Sequence, residues 1–367
     1  MTADAVVIGA GIVGAACADA LSTVGLRVAV VESRVIGGGA TAAGMGHIVV
    51  MDDSEAQFAL THYSQQLWRT LSPEMPAELE WDPSGTLWVA ADEEEMQAVA
   101  HKHAYYVARG VNVEVLDAAQ LADAEPNLRR GLHGALLIPG DSVVYAPCAA
   151  AWLLARAQLR RASLLADRVI SIGRHSVHLT TGDRIESPNI ILASGAWARE
   201  LLPAIPVRPR KGHLAITARY PGFLRRQLVE LGYLKSAHGH DTESVAFNLQ
   251  PRTTGQLLIG SSRQYDVTHT SIDAPFLARM LRRAIHFMPA LEHLRVIRAW
   301  TGFRAATPDS LPLIGPAPGR EGLWLATGHE GLGITTSLAT GRLIADAIAG
   351  RTPAIPPEPY LPARFPQ

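Results

Sequence analysis

Near the start of the chain, Gly9, Gly11 and Gly14 stand in the spacing G-x-G-x-x-G, and an acid, Glu32, follows downstream. This set has the chemistry of a dinucleotide clamp. Gly9 permits a tight turn, Gly11 lets a pyrophosphate approach the backbone, and Gly14 lets a helix pack closely on a strand. A helix opening at Ala10, Ile12 and Val13 would offer free N–H groups and a partial positive charge to the phosphates. Glu32, with Ser33 after it, can take both ribose hydroxyls of an adenosine. Other reactive residue types carry less. His101-x-His103 and His238-x-His240 have ligand-like spacing without further ligands and read as solvated loop residues. Glu93-Glu94-Glu95 reads as the acidic first turn of a helix. Cys17 and Cys148 are the only cysteines; both read as buried free thiols, too few for a zinc site or an iron–sulfur cluster. No metal is expected, and any cluster would belong to a partner chain. No Ser/His/Asp or Cys/His arrangement is legible.

The elements that must position the glycines frame them on both sides. An apolar strand at 5–8 runs into the turn, an Ala-rich helix continues to about Val24, Gly25 turns the chain, and a second strand at 27–31 stops at Glu32. A Gly/Ala-rich loop at 34–51 then leads into a β-branched strand, and small residues this dense suit backbone pressed against a flat ligand. The apolar pattern predicts helices at 54–71, 93–109, 147–162, 274–287 and 334–349. It also predicts a strand pair at 81–90, a hairpin at 168–181 and a buried strand at 189–193. Strands at 211–218, 244–249 and 256–261 read as an antiparallel sheet. Parallel βαβ signals at both ends and in the middle, with antiparallel signals between, imply an α/β fold. It has a Rossmann-like nucleotide lobe and an inserted α+β substrate lobe built on an antiparallel sheet. The expected division gives 1–80, 140–205 and 300–350 to the nucleotide lobe and 81–139 and 206–299 to the substrate lobe. A Pro-rich tail at 351–367 is expected to lie over the surface. At 367 residues the chain exceeds one average domain. With 48% hydrophobic and 18% charged residues and a net charge of −1, it is neither a disordered chain nor a nucleic-acid binder. The first strand begins too close to Met1 for a signal peptide, and no apolar run approaches the roughly 20 residues of a membrane span. The expected location is the cytoplasm, free or peripheral at the inner face of the membrane.

Together these pieces resemble the D-amino-acid oxidase-like superfamily of FAD-dependent amine oxidoreductases, which includes glycine oxidase and sarcosine oxidase, over nearly the whole chain. The loop Gly39-Ala40-Thr41-Ala42-Ala43-Gly44-Met45, with Gly46 after it, is similar to the family segment that runs along the pyrophosphate and under the isoalloxazine. Ala193-Ser194-Gly195-Ala196-Trp197 resembles the strand end that approaches the adenosine–phosphate part of FAD, and Val169 falls where the family contacts adenine through the main chain. Gly328-His329-Glu330-Gly331-Leu332-Gly333-Ile334-Thr335 resembles the helix start at the flavin N1–C2=O edge, where oriented N–H groups stabilise reduced-flavin charge. A nicotinamide enzyme has no need of this second glycine-rich site, so the resemblance implies FAD. Gly302-Phe303-Arg304 opens a segment similar to "G-x-R-x-x-T-x-D-x-x-P-x-I-G", which makes Arg304 the guanidinium for a substrate carboxylate. His47, after the flavin loop, is a candidate to face the ring or the substrate. Phe247, Asn248 and Gln250 lie on a strand that borders the substrate by resemblance, with alternation leaving open which point inward. His213 sits on the strand entering the substrate lobe, and His329 is expected to shape backbone.

The strings GGGATAAGMGHIVVMDD and TGHEGLGITT resemble the flavin subunits of opine oxidases and D-hydroxyproline dehydrogenases. That likeness implies oxidation of an amino or imino acid with a free carboxylate, by hydride transfer to flavin N5. The implied substrate is a cyclic or N-substituted D-amino acid such as cis-4-hydroxy-D-proline. An opine oxidase or glycine/sarcosine oxidase-like activity is the alternative, and a structural flavin subunit inactive without partners the more remote one. The electron acceptor would be oxygen, a quinone or a partner redox subunit, within a hetero-oligomer in the last case. Glycine-oxidase-like members carry a large basic residue inside the C-terminal turn, where this chain has Glu330-Gly331-Leu332, so glycine itself is a doubtful substrate.

Overall fold

Val6 and Ile8 pack on one face of the first strand, Ala5 and Val7 on the other, and all four are buried. A strand apolar on both faces belongs inside a covered parallel sheet. In the computed structural model, which describes residues 1–232, 243–265 and 267–365, it does. Ala5–Ile8 lies between Asn189–Leu192 and Val28–Glu32, parallel to both. The six-stranded sheet runs Leu313–Pro316, Leu323–Thr327, Asn189–Leu192, Ala5–Ile8, Val28–Glu32, Ser163–Ala166. Only its outermost strand, Leu313–Pro316, is antiparallel to its neighbour. The helices Ile12–Thr23, Ala146–Leu159 and Gly333–Ile348 cover one face. Gly341 makes their contact close: a Cβ there would meet Ala16 O at 2.5 Å. The three strands Val169–Gly173, Ser176–Leu179 and Arg184–Glu186 cover the other face.

The second sheet has eight strands, in the order Val296–Ala306, Arg208–Thr217, Leu257–Gln264, Glu243–Pro251, Gln227–Glu230, Thr86–Ala90, Gly134–Ile138, Glu114–Asp117. It is antiparallel except where Gln227–Glu230 runs parallel to Thr86–Ala90. The helix Ala274–Phe287 closes one face over a core that includes Phe247, Leu249, Ile259 and Met280.

Four local expectations change. The pair of strands around Pro83-Ser84-Gly85 is one strand, because both edges of Thr86–Ala90 are taken by Gly134–Ile138 and Gln227–Glu230; Asp82 instead bridges to Val143. The β-branched strand after the Gly/Ala loop shrinks to His47–Ile48, paired with Ser142–Val143. His101 and His103 lie on the helix Glu93–Val107, not on a loop, whose N-terminus Asp92 caps by accepting from Glu95 N at 2.9 Å. The Pro-rich tail does more than lie on the surface. Tyr360 is buried and its hydroxyl donates to Ala56 O at 2.6 Å, while Leu361 closes over Gly315. His238 and His240 lie outside the described residues. Cys17 is buried and Cys148 half-buried, both as free thiols. Among the described residues no group of three His, Cys, Asp or Glu could hold a metal ion, and no helix is long and apolar enough to cross a membrane.

Candidate active site

The helix Ile12–Thr23 begins at Gly11 with no side-chain cap, so its N-terminal donors are left to something other than a local side chain. Gly9 sits at φ +103°, and a Cβ on it would lie 2.9 Å from Ala193 O. A Cβ on Gly14 would lie 2.0 Å from Gly9 O, so that glycine serves the helix–strand contact. Gly11 differs. Its φ of −66° suits any residue, and a Cβ there would meet only the Thr41 hydroxyl, at 3.3 Å. Thr41 Oγ1 itself accepts from Ile12 N at 3.0 Å. At the end of the second strand Glu32 accepts from Ala10 N at 2.7 Å and Arg34 N at 2.8 Å, which holds its carboxylate at the turn; Ser33 is exposed beside it.

The other glycine-rich segments come to the same place. Ala193 meets Gly9, and Thr327, just before Gly328, donates to Gly195 O at 3.0 Å. The Ser194 hydroxyl is buried without a protein partner. Val169 is buried among Ile8, Val31 and Leu192, while Trp197 stays 43% exposed against the Phe303 ring. The helix Gly333–Ile348 also starts without a side-chain cap, and Gly333 faces Val13, so two uncapped helix N-termini lie side by side. Gly44 packs on Ile334, and a Cβ on Gly302 would strike Ala43 at 2.3 Å. Gly39, at φ +58°, and Ala40 are exposed at the start of this loop. Gly46 is pressed onto Val144 O and donates its N–H to Gln250 Oε1 at 2.8 Å. Thr335 donates to His47 O at 2.8 Å. His329 is buried, bonded through Nε2 to the Thr340 hydroxyl, and burial pushes its pKa down to about 3. Leu332 N donates to His329 O, so this histidine shapes the turn as a neutral ring.

The large sheet presents a second face to this loop. Trp300 Nε1 donates to Ala43 O at 3.3 Å, and Met45 Sδ lies 3.2 Å from where a Gly260 side chain would begin. Arg304 follows Gly302 on that face, its Nη1 donating to Ser262 O at 2.9 Å, with Gly331 of the C-terminal turn beside it. Asn248 and Gln250 alternate away from the helix side, and Asn248 Oδ1 is buried without a partner. Phe247 is the correction. It is fully buried and stacked on Phe287 at 4.7 Å, behind the sheet, and does not border the face that carries Arg304. His47 has a buried, unpartnered Nε2, and burial lowers its pKa to about 4, so it is neutral near pH 7. His213 is held between Ser262 and the Asp273 N–H, with burial and the Lys211 charge lowering its pKa. At the end of this face away from Arg304, Gly44, Gly46, Tyr145, Gln250, Arg252 and Trp300 line a cavity of about 140 Å³.

Sequence reasoning missed the partner of the C-terminal turn. Arg210 stands directly opposite Arg304 on the adjacent strand, and its Nη1 donates to Glu330 Oε1 at 2.6 Å. The signal was present only as the departure at Glu330, because strand register does not show in sequence.

The uncapped helix ends, the open approach at Gly11, the acid at the strand end and the orphaned Ser194 and His47 atoms fit an extended dinucleotide such as FAD. Known proteins agree. The chain is 31% identical to a glycine oxidase of Pseudomonas aeruginosa, over 99% of both chains. A glycine oxidase structure from Geobacillus kaustophilus superposes with a TM-score of 0.90 at 27% identity, covering 100% of each chain. An L-proline dehydrogenase structure from P. horikoshii gives 0.88 at 26% identity, covering 99% of this chain and 98% of that one. A family model described as FAD dependent oxidoreductase matches residues 4–347, and the chain belongs to that family, an enzyme that works with FAD.

Proposed function

We propose that the chain oxidises an amino or imino acid with a free carboxylate, and that its substrate is a cyclic or N-substituted D-amino acid such as cis-4-hydroxy-D-proline. The observation that carries this reading is Arg304, a half-buried guanidinium on the sheet face that meets the flavin loop, beside the small Gly331. Arg304 binds the carboxylate, and a planar bidentate donor fixes direction as well as charge. Asn248 and His47, each with a buried polar atom that has no protein partner, are the further candidates to meet the substrate, His47 as a neutral ring. FAD, when bound, supplies the two-electron acceptor; the chain supplies placement and a dry, charge-matched site. The likeness to glycine oxidases supports the carboxylate-bearing amine, and the likeness to a proline dehydrogenase supports the cyclic one. On this reading 1–80, 140–205 and 300–350 carry FAD and 81–139 and 206–299 carry the substrate, with Arg304 reaching the substrate from the strand Val296–Ala306 that joins the large sheet. The test is kcat/KM with an artificial dye over both enantiomers of proline, the hydroxyproline epimers, sarcosine, glycine and opines. A cyclic D-imino acid should lead. Glycine in first place, or equal rates on an amine without a carboxylate, overturns the reading. Oxygen uptake measured beside dye reduction separates an oxidase from a chain that hands electrons to a quinone or a partner subunit.

Two expectations concern FAD. Neither flavin-facing segment holds a cysteine, so the cofactor is expected to be non-covalent, and acid precipitation should leave the yellow colour in the supernatant. Colour in the pellet would show a covalent link, with His47 the first residue to inspect. Glu32→Ala removes a charge-assisted acceptor for ribose worth roughly 1.5–3 kcal/mol. Its FAD dissociation constant should rise by about one to two orders of magnitude in a fluorescence titration. An unchanged constant would leave Glu32 as a brace for the Ala10 and Arg34 amides alone.

A further inference from the structure

Residues directly opposite on neighbouring antiparallel strands project from the same face of a sheet. Arg210 and Arg304 are such a pair. Arg304 is tied to Ser262 O, whereas Arg210 lies over the Tyr265 ring, its Cζ 4.8 Å from the centroid, and donates to Glu330 Oε1. The ion pair is buried, with side chains 7% and 14% exposed. Glu330 is also held by its backbone: φ is +52°, and its N–H donates to Ala305 O at 2.9 Å, next to Arg304. Two atoms of the pair, Glu330 Oε2 and Arg210 Nε, are buried without a protein partner.

We propose that Glu330 is a built-in carboxylate that occupies the second guanidinium of the site and so selects monocarboxylate amines over dicarboxylate ones. The proposal rests on the reading of Arg304 as the substrate's carboxylate anchor. Two guanidiniums on one face, roughly 5 Å apart at their Cα atoms as opposed residues are, would form a receptor for two carboxylates if both were open to substrate. Glu330 neutralises one of them, so that guanidinium is not left for a second substrate carboxylate. Like charges in a desolvated site repel strongly, so the second acid group is refused while the first still finds Arg304.

The test compares N-methylglycine with N-(carboxymethyl)glycine as substrates of the FAD-loaded enzyme. Glu330→Gln keeps the size and the backbone hydrogen bond and removes the charge. The ratio of kcat/KM for the diacid over the monoacid should rise by at least about tenfold. Adding Arg210→Gln should cancel the gain. In wild type, titration followed by the flavin absorbance bands should show glutarate binding no more tightly than butyrate, and this readout stands even if the variants fold poorly. Tighter glutarate binding in wild type, or an unchanged ratio in a folded Glu330→Gln enzyme, overturns the selectivity role. If Arg304→Ala still abolishes monoacid oxidation in that case, the substrate reading survives. Unimpaired oxidation of the monoacid by Arg304→Ala removes the reading and the inference together.

Discussion

Arg304→Ala is expected to lower kcat/KM for a carboxylate-bearing amine by at least about thirtyfold, because truncating one partner of a desolvated charge pair costs roughly 2–5 kcal/mol. FAD content should stay near that of wild type, since Arg304 is assigned to the substrate and its Nη1 bonds to Ser262 O, two strands away in the large sheet. The sharper measurement uses an amine of the same shape without the carboxylate. Wild type should oxidise it poorly, and the variant should lose little more, because the missing guanidinium has nothing to bind. Equal losses on both amines would mean that Arg304 holds its strand to Ser262 and does not hold the ligand. The assignment of the substrate face would then fail.

Gly14→Ala should be the more damaging change to the protein itself. The added methyl would sit 2.0 Å from Gly9 O and 3.0 Å from Gly9 C, both backbone atoms that no rotamer change can move. Strand and helix must separate, and overpacking of this kind costs about 3 kcal/mol or more at a contact with no slack. A lower urea midpoint of the apoprotein, together with lost FAD binding, is the expected outcome. Gly11→Ala provides the contrast. Its backbone already suits alanine, and its nearest neighbour is a threonine hydroxyl at 3.3 Å. That variant should keep the apoprotein midpoint and lose FAD affinity alone. A wild-type midpoint and intact FAD binding for Gly14→Ala would show that the close approach of helix and strand is not needed.

What could be read from sequence was what is local along the chain. The strand, glycine turn, helix, strand and terminal acid follow one another without interruption, so Ala5–Ile8, the helix from Ile12 and Glu32 were all legible from spacing and hydropathy. The helix Ala274–Phe287 matched its predicted bounds because Asp273 caps it and its apolar face is regular. Questions of register and face were different. Alternation separates Phe247 from Asn248 and Gln250 but does not say which set looks at the cofactor; the helix packed on Phe247 settles that, and it lies in another part of the sequence. The short strand Gln227–Glu230 is not legible in sequence because four residues carry too little pattern, and its parallel pairing with Thr86–Ala90 excludes the strand pair expected at 81–90. Arg210 carries no signal of its own along the sequence, since only strand pairing sets it opposite Arg304.

The central place of Ala5–Ile8 has a consequence for how the enzyme is made. Ala5–Ile8 is synthesised before either of its partners, and its neighbour Asn189–Leu192 waits in turn for Leu323–Thr327. The second uncapped helix, Gly333–Ile348, is synthesised after almost everything else. Early strands therefore spend most of translation without their partners, a situation of high contact order that slows folding and leaves apolar edges open to aggregation. The nascent chain has no finished groove to offer a cofactor until its last helix arrives. Supply of FAD after that helix is made, and not before, should govern how much yellow protein accumulates.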